Sequence, residues 1–91
     1  MKVFISGKIT GDNHYREHFH KAEETLKNDG FIVLNPSVLP QGMTSAEYMR
    51  ICLNMFECSD IIYMLNNYKD SKGALVELTY AQYLGLDVMY E

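Results

Sequence analysis

The stretch Asp60–Tyr90, "DIIYMLNNYKDSKGALVELTYAQYLGLDVMY", holds one complete strand–helix–strand unit. Ile61 to Leu65, opened by Asp60, is a continuous apolar run long enough for a strand and too short for a helix. Asn66 to Asp70 is polar and reads as a loop. Ser71 is a suitable N-cap, the helix it opens runs to Leu84, and Gly85 closes it. Val88-Met89-Tyr90 is a further strand. A helix between two strands carries the chain back to the same end of the sheet, so the two strands pair in parallel.

The rest of the chain repeats this alternation. Val3-Phe4-Ile5 is a strand ending at Ser6-Gly7, and Gly11-Asp12-Asn13 supplies turn residues before a helix from about His14 to Asn28. Tyr15, Phe19, Ala22 and Leu26 give that helix one apolar face, and Asp29-Gly30 closes it. Phe31 to Leu34 is a second strand stopped by Asn35-Pro36, and a loop rich in Pro, Gly and Ser follows to about Thr44. Thr44-Ser45-Ala46-Glu47 has the outline of a capping box, opening a helix to about Cys58. The fold class is therefore α/β: a small open parallel sheet of about four strands, buried on both faces, in a single domain over residues 1–91.

Composition narrows the function classes. A chain of 91 residues with 47% hydrophobic content suffices for one core. Its net charge of −4 and interspersed Lys and Arg form no basic stripe, which argues against long nucleic acid and leaves a single nucleotide as a possible ligand. Cys52 and Cys58, six apart in one helix, point in different directions, so a reduced, cytoplasmic protein is expected. Met1-Lys2 leads straight into a strand, with no signal-like segment, and no apolar run reaches membrane-spanning length. No membrane partner and no cofactor are expected.

Ligands of open parallel sheets bind beyond the carboxyl ends of the strands. Two loops there carry candidate residues. Ser6-Gly7-Lys8-Ile9-Thr10-Gly11 follows the first strand, and its glycines would let the backbone approach an anion; a plain strand-to-helix turn is the alternative. Asn66 to Gly73 follows the third strand, where Ser71, Gly73 and the lysines Lys69 and Lys72 could cradle a phosphate, or form an ordinary capped helix with solvated lysines. Glu77 decides between them. The helix is apolar almost all the way round, and the residues three and four away from Glu77 are Gly73, Ala74, Tyr80 and Ala81, none of them a cation. A carboxylate so placed would face the hollow left by Gly73 and Ala74.

Taken together, "KVFISGKITG", "LNPS", "CSDIIYML" and "SKGALVELTYAQYLG" resemble the nucleoside 2-deoxyribosyltransferase-like superfamily across essentially the whole chain, including a small branch of uncharacterised phage and bacterial proteins. The resemblance implies a flavodoxin- or Rossmann-like three-layer sandwich. Gly73, Glu77 and Ala81 match the pattern around the family's nucleophilic glutamate. Ser71, six before it, matches the phosphate-binding serine of the 2'-deoxynucleoside 5'-monophosphate N-glycosidases rather than the transferases' aspartate. The implied ligand is a deoxynucleotide or nucleoside, bound by Ser6, Gly7, Lys8, Ile9, Gly11, Ser71 and Gly73 and attacked by Glu77. Two residues depart from the pattern. Cys52 stands where active relatives carry an acidic aspartate, and Thr10 stands where the glycosidases carry a phosphate-clamping arginine, for which Lys8 and Lys72 could substitute. The chain also stops after the fourth strand, whereas larger relatives lend C-terminal residues to a neighbouring subunit. A catalytically weak nucleotide-binding module is thus the second reading.

Other signals point elsewhere. "HYREH", His14 to His18, matches an inverted zinc-peptidase motif, but in so small a chain and without a third ligand no metal is expected. Asp60 is expected to order its strand. Tyr63, Tyr68, Tyr80 and Tyr83 could stack on a base but are expected to be packing or interface material, and the last two suggest a homodimer or higher oligomer, as the resemblance also implies.

Overall fold

The computed structural model describes residues 1–91. Four strands, β1 (Lys2–Ser6), β2 (Ile32–Leu34), β3 (Ile61–Met64) and β4 (Asp87–Tyr90), alternate with three helices, α1 (Tyr15–Asn28), α2 (Ser45–Glu57) and α3 (Lys72–Leu84). The sheet is wholly parallel in the order β2-β1-β3-β4. The chain moves from β1 to β2 in one direction and then crosses back over β1 to reach β3. The strand order thus reverses beside β1, and right-handed crossovers send α1 to one face and α2 and α3 to the other.

The core follows this division. Val3 and Ile5 of β1 meet Phe19, Ala22 and Leu26 of α1. Phe4, one step out of phase, meets Phe56 of α2 and Ala74 and Ala81 of α3, with Ile62 and Met64 of β3. Val3 to Ser6 of β1 and Ile61, Ile62 and Met64 of β3 are buried, whereas edge residue Ile32 remains exposed. The resulting architecture is a small open three-layer α/β sandwich, and no helix is long and apolar enough to cross a membrane.

Boundaries differ from the expected ones for local reasons. β2 starts one residue late because the Phe31 N–H donates to the Leu26 carbonyl, closing α1 past Gly30, which turns with φ +91°. The loop after β2 contains a 3₁₀ turn, Pro36–Val38, started by the Asn35 side chain accepting from the Ser37 N–H; a second such turn, Tyr68–Asp70, follows β3. The capping box is complete: Thr44 Oγ1 accepts from the Glu47 N–H at 3.2 Å, and Glu47 Oε1 accepts from the Thr44 N–H at 2.9 Å. Asp60 accepts from the Lys2 backbone N–H and pairs with its ammonium, fastening the starts of β3 and β1.

Helix α3 packs on the sheet by its small residues. Its sheet-facing stripe is Ala74, Glu77 and Ala81, while the larger Leu75, Val76 and Tyr83 face outward. Tyr80 is held within the chain, its hydroxyl donating to Glu57 and its ring edge-on to Phe56 at 5.4 Å.

The first loop leaves β1 under a steric constraint. A Cβ at Gly7 would lie 2.6–2.9 Å from three Leu65 side-chain atoms, closer than carbon atoms pack. Gly7→Ala is expected to destabilise the fold by about 1–3 kcal/mol, as overpacking does, measured by urea unfolding. Gly73→Ala, whose added Cβ would come no nearer than 3.7 Å to Met49, should cost far less.

Candidate functional site

Strand parity and helix periodicity together create the site. Ser6 follows Phe4 by two residues, so it faces the α2 and α3 layer at the carboxyl end of β1. Glu77 lies on α3 between Ala74 and Ala81, whose small side chains let the helix approach the sheet. The two meet: Ser6 Oγ donates to Glu77 Oε1 at 2.7 Å, with Ser6 1% and Glu77 7% exposed. A hydroxyl bond this short to a carboxylate oxygen is charge-assisted. The Cys52 thiol, buried on α2, lies beside the same carboxylate and holds it more weakly. No cation pairs with Glu77.

Burial dominates the electrostatics of this cluster. It raises the Glu77 pKa from its ordinary 4.5 to about 7, against the opposing hydrogen bonds from Ser6 and Cys52. Burial, reinforced by the Glu77 charge, also pushes the Cys52 thiol up to about 12. The cysteine is therefore a poor proton donor as well as a poor nucleophile at neutral pH. Both cysteines are free, and Cys58 is exposed.

Glu77 is buried by protein on one side and opens onto a hollow of about 630 Å³ on the other. Ser6, Gly7, Ile9, Ser71, Gly73 and Cys52 all line it, as do Thr10 and Lys72. Ser71 caps α3, its Oγ accepting from the Ala74 N–H at 3.1 Å. The first-turn amides of Lys72 and Gly73 precede Leu75, whose N–H is the first to bond within the helix, to the Ser71 carbonyl, so they remain available to an anion.

Lys8 and Gly11 do not line the hollow. Gly11 turns with φ +83°, the Asp12 N–H closes onto the Ile9 carbonyl, and the Lys8 N–H donates to Asn67 Oδ1. These residues shape the loop that presents Ile9 and Thr10. Lys69 instead sits 6.0 Å from the Tyr68 ring centre. His18 Nε2 lies 2.8 Å from Glu91 Oε1, and His14 is exposed near Glu17. Tyr63 packs toward α1, and the Tyr68 ring packs against Tyr90.

Among the lining residues that the sequence reading did not single out are Ser45, Tyr48 and Met49 of α2, and Asp70 before α3. The first three fall at i, i+3 and i+4, one helical face, immediately after the capping box. Since a crossover helix begins at the carboxyl ends of the strands, that spacing marks them as facing the ligand edge. Tyr48 is fixed there by donating its hydroxyl to the Pro40 carbonyl.

The raised Glu77 pKa has a direct consequence for stability. Because the folded state holds this proton more tightly than the unfolded chain, the fold is favoured below about pH 4.5 and loses that advantage as pH climbs to about 7. The loss amounts to roughly 3 kcal/mol by linkage. Denaturant unfolding of the wild type and Glu77→Gln across pH 5 to 8 should show this slope in the wild type and its absence in the variant.

Over residues 1–90 the chain matches the profile of a family described as a domain of unknown function, DUF4406. No curated protein matches it. With nearly every residue covered by that profile, the chain belongs to the DUF4406 family.

Proposed function

We propose that the protein cleaves or exchanges the N-glycosidic bond of a 2'-deoxynucleoside 5'-monophosphate through a covalent glycosyl-Glu77 intermediate. The observation that carries this reading is the position of Glu77: buried, unpaired with any cation, fixed by Ser6, and open to a hollow that begins at a helix N-terminus. Such a carboxylate is poorly solvated and therefore reactive, and it is poised near neutral pH.

In this reading the phosphate rests against the first-turn amides of α3, the Lys72 ammonium and the Ser71 hydroxyl. Gly7, Ile9 and Thr10 border the sugar. A Glu77 oxygen attacks C1' through an oxocarbenium-like transition state, the base departs, and water or a second base releases the sugar with net retention. Ser6 orients the carboxylate and, by favouring its ionised form, opposes the effect of burial.

Cys52 supports a second reading, a nucleotide-binding module without appreciable turnover, because its thiol cannot serve as the acid for a departing base. In either case we ascribe contacts between copies of the chain to the outward residues Leu75, Val76 and Tyr83 of α3.

Incubation with each deoxynucleoside monophosphate, followed by chromatography for free base, separates the two readings. The enzyme reading expects release by the wild type and none above the blank by Glu77→Gln. Its kcat/KM should climb about tenfold per pH unit below about 7 and level off above, as Glu77 ionises. Calorimetric binding without release would establish the module instead.

A further inference from the structure

The hollow lacks one component that cleavage of an ordinary nucleotide needs. A neutral nucleobase leaves C1' as an anion unless a proton reaches it, and an acid positioned for that purpose contributes about 10²–10⁴-fold. Glu77 cannot be both the nucleophile and the proton donor of one step. Beside it stand only the Ser6 hydroxyl, already donated to the carboxylate, and the Cys52 thiol, which burial holds protonated. The Tyr48 hydroxyl is engaged with the Pro40 carbonyl. Asp70 and Lys72 flank Ser71 at the start of α3, Lys72 about 8 Å along the helix axis from Glu77 at 1.5 Å per residue, where the proposed function seats the phosphate. No histidine lines the hollow.

The same enclosure creates a second difficulty. A carboxylate paired with no cation loses ionisation when an anionic phosphate enters the same hollow. A positive charge on the ligand, close to Glu77, would reverse that effect and fill the place of the absent counter-ion.

We infer that the substrate of this site is a deoxynucleoside monophosphate whose base is cationic, such as an N-alkylated purine, so that the base departs neutral and needs no acid. This rests on the reading of Glu77 as nucleophile. In the first step a Glu77 oxygen bonds to C1', the C1'–N bond breaks, and its electron pair moves onto the base nitrogen and cancels the charge. In the second, water adds to C1' as the bond to Glu77 breaks, giving the sugar phosphate, the regenerated carboxylate and a proton released to solvent.

The test compares 7-methyl-2'-deoxyguanosine 5'-monophosphate with unmethylated dGMP, using Glu77→Gln as the blank for spontaneous base loss. The expected result is a kcat/KM for the methylated nucleotide at least about 100-fold above that for dGMP, the low end of what an acid would have supplied. A smaller ratio, with both nucleotides cleaved above the blank, overturns the inference and leaves Glu77 as nucleophile. Cleavage of neither above the blank overturns both.

Discussion

A single carboxylate, removed from water and given one strong hydroxyl donor, constrains the arrangement around it. Glu77 can occupy the sheet-facing stripe of α3 only because Ser6 ends β1 directly beneath it, and because Ala74 and Ala81 leave room for the helix to lie close. Without Ser6 the carboxylate would lose its only strong donor while remaining mostly buried, a cost of order 1–3 kcal/mol for the lost bond. Strand parity, helix periodicity and the placement of small residues therefore all converge on one interaction between residues 71 positions apart.

The topology explains why this interaction lies at a cavity rather than inside the core. Strand order reverses at β1, so the first loop and the N-termini of α2 and α3 leave the same edge of the sheet without filling the space between them. Gly7, where Leu65 leaves no room for a side chain, starts the first loop; Asn67 ties that loop to the segment after β3 by accepting from the Lys8 N–H. The far edge, fastened by Asp60 and Lys2, is a structural clasp. The clasp and the hollow occupy opposite ends of the same strands.

Much of the fold was legible because the strands are short apolar runs and the helices carry explicit caps, notably Thr44 with Glu47 and Ser71 with Ala74. The two 3₁₀ turns were not, since each is set by local bonding in a polar segment without periodicity. Glu77 stood out by lacking a cation on its own helix, but its partners Ser6 and Cys52 come from other elements, and only the strand order brings them near it. Lys8 and Gly11 were expected as ligand contacts from the glycine loop and the family resemblance, yet Gly11 makes a positive-φ turn, the Lys8 N–H is taken up by Asn67, and neither residue lines the hollow. The apolar surface of α3 gave no direction, because the helix is apolar almost all the way round; in the structure its bulk faces outward, with Tyr83 86% exposed, while the small residues face in.

The family carries no assigned activity, so the chemistry of the hollow has to be judged on its own groups. In the reading proposed above, those groups suit attack by a poised carboxylate better than proton donation, which would tie the mechanism to Glu77 and the choice of substrate to the leaving base. The most direct test of this account is peptide mass spectrometry after rapid acid quench of protein turning over a deoxynucleoside monophosphate. The account predicts a deoxyribose 5-phosphate adduct on Glu77, in the peptide covering α3. Base release accompanied by an adduct elsewhere, or by water attack with Glu77 never modified, would contradict it.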